Sequence, residues 1–125
     1  MESVNTAGKT NLDYLRNLDQ KGNVIAEYIW IDGALGMRAK CRTLSKKIES
    51  LADLPEWNYD GSSTGQSTTN DSDIILKPSA IFVDPFRTNG YIVLCSTYKT
   101  DGSPAKNNNR DLAVKLFNQK LSAKP

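Results

Sequence analysis

The sequence predicts an α+β fold in which a β-rich centre lies between two short helices. Three stretches, 24–31, 37–44 and 91–97, show the β-branched runs or the alternation that are typical of strands. Apolar residues near both ends of the chain recur at helical spacing instead. The chain has 125 residues, the length of one small domain, so these elements should form a single unit.

Composition excludes several classes of function. Lys and Arg total 16 against 14 Asp and Glu, and a net charge of +2 is too small to attract nucleic acid or an anionic membrane. No apolar run approaches the about 18 residues of a membrane span, and the N-terminus lacks the apolar core of a signal peptide. We therefore expect a cytoplasmic protein with no nucleic-acid partner and no membrane partner.

The chain contains no histidine, which removes the commonest general base and the commonest zinc ligand. Nucleophilic catalysis by a Ser-His or Cys-His pair is excluded with it. The two cysteines, Cys41 and Cys95, could form at most one disulfide, but nothing else indicates an oxidising compartment. We predict that both are small buried residues.

The first elements are a helix and a strand. A short helix is predicted over residues 11–18, because residues 10–13 resemble a capping box and Leu15 and Leu18 belong to an apolar stripe. Residues 24–31 are nearly all apolar and rich in β-branched and aromatic side chains. They suit a strand that is buried on both faces.

A hairpin follows, with its turn at 32–33 and its second strand at 37–44. Its alternation puts Arg38, Lys40 and Arg42 on one side, which we interpret as the solvated face. A phosphate site built from these cations is the less favoured alternative.

The middle of the chain is predicted to be less regular. Residues 45–54 read as an irregular connection and 57–59 as a short strand. Residues 60–73 contain no apolar side chain and far exceed the usual connection of about 4 to 6 residues. A loop of this length is either functional or disordered.

The last third returns to regular structure. A strand at 74–76 is expected to stop at Pro78, a turn follows at 84–87, and 91–97 form the third strong strand. Helical spacing over 112–121 then predicts a closing helix whose apolar stripe needs a partner.

The cluster most suggestive of chemistry lies where the short strand ends, at Asp60, Gly61, Ser62 and Ser63. A carboxylate and two hydroxyls could hold a small cation. The same residue types are common in Asx-turns, where the carboxylate accepts hydrogen bonds from nearby backbone amides. On residue types alone, the turn is the favoured interpretation.

Five segments together indicate a family. They are Tyr-Ile-Trp-Ile-Asp-Gly at 28–33, Arg-Thr-Leu at 42–44, Leu-Pro-Glu-Trp-Asn-Tyr-Asp-Gly-Ser-Ser-Thr at 54–64, Asp-Ser-Asp at 71–73 and Asp-Pro-Phe-Arg at 84–87. Their order and spacing resemble those of eukaryotic-type glutamine synthetases. The resemblance runs from about residue 14 to 117 and corresponds to the N-terminal third of that family's subunit.

The resemblance implies a β-grasp-like mixed sheet with a short N-terminal helix and a C-terminal helix. Residues 1–20 would be an N-terminal helical arm and 21–104 the glutamine synthetase N-terminal β-grasp domain. Residues 105–125 would then be the first helix of a truncated catalytic domain.

The function implied by the resemblance is ATP-dependent ligation of ammonia to glutamate, in active sites shared between neighbouring subunits of a ring. Asp60 and Ser63 would be the catalytic and ammonium-binding residues, with Asp73 as a further ammonium-binding residue. The family's metal, nucleotide and glutamate sites lie in the catalytic domain. We therefore expect this chain to bind no metal or cofactor by itself and to be inactive alone, whereas the complete enzyme uses ATP and Mg.

One departure and two alternatives accompany this interpretation. Asp111 stands where the family usually has histidine after Asn-x-Arg. The chain could instead be a non-catalytic pseudo-subunit or regulator that docks on full-length glutamine synthetase. It could also be a free binding domain with an unrelated partner.

Overall fold

The structure is a computed structural model that describes residues 11–68 and 71–122. Residues 11–16 are helical, which agrees with most of the helix predicted at 11–18, while Thr10 of the predicted capping box lies outside the described residues. The elements that follow are β1 (Val24–Ile31), β2 (Met37–Leu44), a 3-10 turn (Leu51–Asp53), β3 (Trp57–Asp60), β4 (Asp73–Val83), β5 (Gly90–Lys99) and a C-terminal helix (Arg110–Ser122).

The five strands form one mixed sheet in the order β2-β1-β5-β4-β3. The central pair, β1 and β5, is parallel, and every other neighbouring pair is antiparallel. The chain therefore leaves β1 through a hairpin, crosses to the far edge of the sheet, and returns to its centre with β5. This arrangement confirms the predicted α+β class and the β-grasp-like mixed sheet.

The core lies on one face of the sheet. Burial alternates along β1, and Val24, Ala26, Tyr28 and Trp30 are buried while the residues between them are not. The prediction that this strand is buried on both faces is wrong. A parallel strand pair usually has both faces covered, but here the alternate residues Ile25, Glu27 and Ile29 are only half-buried.

The prediction that the three cations of β2 form its solvated face is wrong for two of them. Lys40 and Arg42 are half-buried, with the Lys40 Nζ atom 3.6 Å and the Arg42 Cζ atom 4.9 Å from the ring centroid of Trp57. Arg38 is exposed but bonds the buried Asp32, with Nε 3.0 Å from Oδ2. The sheet curls until its two edge strands meet across the core, so the aliphatic stems of these cations cover an aromatic ring.

The side of β2 that was expected to face inward is exposed. Met37 is 73% exposed, and Ala39 and Cys41 are exposed beside it. The prediction of a buried thiol is therefore wrong for Cys41, whereas it is confirmed for Cys95. Register explains the error, because Cys41 pairs with Glu27, on the outer side of β1.

We predict that the two thiols react very differently in the folded 125-residue chain. Burial raises the pKa of the Cys95 thiol to about 12, and the thiolate is the nucleophilic form. At neutral pH, an aromatic disulfide reagent should therefore release one equivalent of its aromatic thiolate per folded chain quickly. In denaturant it should release two equivalents per chain. Cys41→Ser should abolish the fast equivalent, and two fast equivalents in the parent chain would contradict the structure.

The strand expected to stop at Pro78 continues through it. β4 runs from Asp73 to Val83, and its pairing with β5 shifts register between Pro78 and Ala80. Proline lacks an amide hydrogen, so a bulge is one of the few places in a sheet that accept it. The sequence signal for a break was real, but it marks a bulge and not the end of a strand.

The connection from β2 to β3 is also more ordered than expected. Ser50 begins a 3-10 turn over Leu51–Asp53, in which the Asp53 carboxylate accepts hydrogen bonds from the backbone amides of Glu49 and Ser50. Its apolar residues Ile48 and Leu54 are buried and close one end of the core.

The C-terminal helix confirms the helical spacing but leaves its apolar side uncovered. Leu112, Leu116 and Phe117 are 62%, 55% and 66% exposed. Within residues 11–68 and 71–122, no helix is long and apolar enough to cross a membrane.

Candidate functional site

The polar loop after β3 begins as a compact turn around Gly61. The carbonyl of Gly61 accepts hydrogen bonds from the amides of Gln66 (2.9 Å) and Ser67 (3.1 Å), and its amide donates to the carbonyl of Ser72 (2.6 Å). A Cβ atom at this position would lie 2.4 Å from Cγ1 of the buried Ile74. A larger residue would overlap the Ile74 side chain, so glycine suits this close approach.

The Asp60 side chain forms the Asx-turn that its residue type suggested. Its Oδ1 atom accepts hydrogen bonds from the backbone amide (2.9 Å) and the hydroxyl (2.6 Å) of Ser62. These bonds, the hydroxyl bond first, lower the pKa of the Asp60 carboxyl below its usual value. Asp60 is exposed, and no described residue donates to its second oxygen, Oδ2.

The strand register brings Asp73 to Asp60. The two residues are direct partners in the antiparallel pair of β3 and β4, and both are exposed. Such partners share a face of the sheet with Cβ atoms about 5 Å apart, and two like charges in this position are unfavourable. The register therefore places a second carboxylate beside the turn that carries Asp60.

Ser63 lies on the same turn and is exposed. Its hydroxyl donates to the Asp60 carbonyl over 3.0 Å, which leaves the oxygen lone pairs of Ser63 available to accept. The structure thus brings together all three predicted site residues at one end of β3 and β4. Within residues 11–68 and 71–122, no group of three or more His, Cys, Asp or Glu side chains could hold a metal ion.

The hairpin turn between β1 and β2 contacts the polar loop through its backbone. The amide of Gly33 donates to the carbonyl of Thr64 over 2.8 Å. A Cβ atom at Gly33 would lie 2.4 Å from the carbonyl oxygen of Gly65, so the two backbones touch with no room for a side chain. Gly33, the last residue of the Tyr-Ile-Trp-Ile-Asp-Gly segment at 28–33, therefore positions the polar loop as well as forming part of the hairpin turn.

Sequence reasoning missed two residues that hold the site together. Gln66 is a buried glutamine within the polar loop, and it hydrogen-bonds to Tyr59 on β3. Asn107, from the segment before the C-terminal helix, donates to the carbonyls of Asp32 (3.0 Å) and Gly33 (2.9 Å). Polar residues in a polar stretch carry no periodic signal, so these contacts could not be read from the sequence.

Asp111, the departure from the family pattern, has a structural role at the start of the C-terminal helix. Its Oδ1 atom accepts from the Tyr98 hydroxyl (3.0 Å), and its Oδ2 atom lies 3.0 Å from the Lys115 Nζ atom. The Lys115 bond, followed by the Tyr98 bond, lowers the pKa of the Asp111 carboxyl. An anionic side chain in the first turn also suits the helix dipole.

The family is established by comparison with known proteins. Residues 24–100 match the family model described as glutamine synthetase, beta-Grasp domain. This match includes every strand and the turn that carries Asp60 and Ser63. The chain belongs to the glutamine synthetase family.

Curated relatives agree. The chain is 54% identical over 124 residues to the glutamine synthetase of Tuber borchii, covering 98% of the chain and 35% of that relative. It is 55% identical over 109 residues to that of Eremothecium gossypii, covering 86% of the chain and 29% of the relative. It is also 55% identical over 101 residues to that of Saccharomyces cerevisiae, covering 80% and 27%. The chain thus spans about a third of the length of these relatives and corresponds to their N-terminal part.

Proposed function

We propose that this chain supplies the ammonium-side wall of a glutamine synthetase active site. The observation that carries the proposal is the hydrogen-bonded turn after β3, which carries Asp60 and Ser63 at the end of the sheet where Asp60 pairs with Asp73. Two carboxylates and a hydroxyl oxygen are acceptors, and ammonium is a small cation with four N–H donors. The complete reaction would be ATP-dependent ligation of ammonia to glutamate.

The main effect of Asp60 would be to bind and orient ammonium. A carboxyl with a reference pKa of about 3.9 is a weak base, and the Ser62 hydrogen bonds make Asp60 weaker still. Its charge would instead hold the cation beside the carbonyl carbon of the activated substrate, where fixed geometry lowers the barrier to attack. Ammonium would first give one proton to Asp60, which frees the nitrogen lone pair for attack, while Ser63 supports the orientation. As the C–N bond forms, the C–O bond to the phosphate on the activated carboxylate would break and phosphate would leave.

The remaining parts of the reaction would come from other residues of the complete enzyme. We infer that ATP, Mg and glutamate bind to the catalytic domain, and that the site closes between neighbouring subunits of a cytoplasmic homo-oligomeric ring. The open outer side of β2, where Met37 is largely exposed, supports the presence of a further covering surface. The departure at Asp111 lies in the helix that would begin the catalytic domain.

The experiment that tests the proposal is a domain exchange. Residues 21–104 of this chain replace the corresponding residues of the Saccharomyces cerevisiae glutamine synthetase, and the purified rings are assayed for glutamine formation. Rings that assemble and turn over support the proposal. Rings of the correct size without turnover would overturn it, and would favour a non-catalytic module.

A companion prediction is that the isolated 125-residue chain has no synthetase activity. The nucleotide and glutamate sites would lie in the catalytic domain, so the chain alone would lack the groups that activate the glutamate carboxylate. The chain should be assayed with glutamate, ammonia, ATP and Mg²⁺ against a blank. Glutamine above the blank would mean that a complete site exists within the chain.

A further inference from the structure

We propose that Gln66 is the positioning residue that fixes the Asp60–Ser63 turn in its productive geometry. The inference rests on the proposed function, because it concerns the wall that would receive ammonium. It assigns a role to a side chain that does not itself face the ligand. Gln66 is 4% exposed, whereas Asp60 and Ser63 are both exposed.

The Gln66 carboxamide connects four parts of the chain. Its Nε2 atom donates to the carbonyls of Ile31 at the end of β1 (3.1 Å) and Lys106 before the C-terminal helix (3.3 Å). Its Oε1 atom accepts from the Tyr59 hydroxyl on β3 and lies 2.8 Å from the Thr64 hydroxyl within the loop. Both ends of the amide are therefore satisfied inside the protein.

The two ends of this side chain face chemically opposite partners. Two backbone carbonyls can only accept, so the atom between them must be a donor, while two hydroxyls can both donate to the atom at the other end. A carboxamide supplies both functions, and a carboxylate of the same size supplies only acceptors. A buried polar group without a partner is costly, so this position selects glutamine over glutamate.

The hydrogen-bond partners of Gln66 lie on both sides of the Asp60–Ser63 turn. Tyr59 directly precedes Asp60, and Thr64 directly follows Ser63, so one oxygen atom holds the residues on both sides of the turn. The Tyr59 ring is fixed in addition by stacking on Trp30, with ring centroids 4.4 Å apart. The turn that carries the ammonium ligands thus lies between two anchored residues.

A first experiment measures loop order in the full 125-residue chain by hydrogen exchange and mass spectrometry. Gln66→Glu should increase exchange in peptides from 60–68 by about tenfold or more at neutral pH, while peptides from β5 stay close to the parent. The difference should shrink as the pH falls, because the introduced carboxyl, once protonated, can donate to one carbonyl again. Gln20→Glu is the matched control, since Gln20 is exposed and far from the turn in sequence.

Two outcomes would overturn the inference in this experiment. Exchange over 60–68 equal to the parent at every pH would show that the amide does not order the turn. Equal loosening of the loop and of β5 would show that Gln66 contributes only to general stability. Neither result depends on catalysis.

A second experiment uses the domain-exchanged rings. Gln66→Glu should raise the KM for ammonium by about 10- to 100-fold, the cost of a small misplacement, and leave the KM for glutamate within about twofold. If Asp60→Asn impairs these rings and Gln66→Glu leaves the KM for ammonium unchanged, the positioning role is overturned and the proposed function stands. If neither variant has an effect, the proposed function itself has failed.

Discussion

In rings that carry residues 21–104 of this chain, Asp60→Asn should lower turnover by about 30- to 1,000-fold at saturating ATP and glutamate. The asparagine keeps the size of the side chain and the oxygen that accepts from Ser62, so the turn should survive. What it removes is the negative charge that would attract and orient ammonium. The loss should appear in turnover and in the KM for ammonium, with little change in the melting temperature.

The chain offers a matched control for this variant. The Oδ1 atom of Asp101 accepts from the amide (2.9 Å) and the hydroxyl (2.6 Å) of Ser103, the same turn that Asp60 forms with Ser62. Asp101→Asn should therefore reproduce any effect of weakening an Asx-turn but leave turnover unchanged. If the two variants have equal effects on turnover, Asp60 serves only as a turn cap.

Mixed rings test whether Asp60 acts across the subunit boundary. Rings are assembled from the Asp60→Asn subunit and a second subunit disabled only in its catalytic domain. Because each site would combine the wall of one subunit with the catalytic domain of its neighbour, some interfaces should regain activity. Mixed rings that form and remain inactive would place Asp60 in its own subunit's site or in none.

Leu76→Ala should destabilise the chain by about 2 to 5 kcal/mol, which is the usual cost of truncating a buried leucine. Leu76 is fully buried on β4 in the core that also contains Tyr28 and Val93. Removing three carbon atoms there leaves a cavity that a rigid sheet cannot close. For a domain of this size the melting temperature should fall by roughly 10 to 25 °C.

The control for this prediction is Leu112→Ala in the C-terminal helix. Leu112 is 62% exposed, and alanine is the best helix former, so the free energy of unfolding should change by less than about 0.5 kcal/mol. Thermal and urea unfolding of the two variants should be compared with the parent. Equal destabilisation by both would mean that the helix packs on the domain in solution.

Local patterns in the sequence were enough to identify most elements and the family. The strands at 24–31 and 37–44 have the predicted bounds, and the hairpin turn, the C-terminal helix and the α+β class are also as predicted. The segment Asp60–Ser63 was identified as a family motif, and its local Asx-turn follows from residue types that prefer to bond their own backbone. These features depend on local preferences and on residue order, which a sequence contains directly.

Only the tertiary structure shows which face of β2 is buried and which hydrogen bonds hold the loop after β3. Alternation in β2 separates Lys40 and Arg42 from Cys41, but it cannot tell which set faces inward, and here curling of the sheet lays the cations on Trp57. The Gln66 contacts join positions 35 and 40 residues apart, a separation over which no local pattern operates. Burial and long-range hydrogen bonding are properties of the packed chain, and for that reason the support of the site could not be predicted although its candidate ligands could.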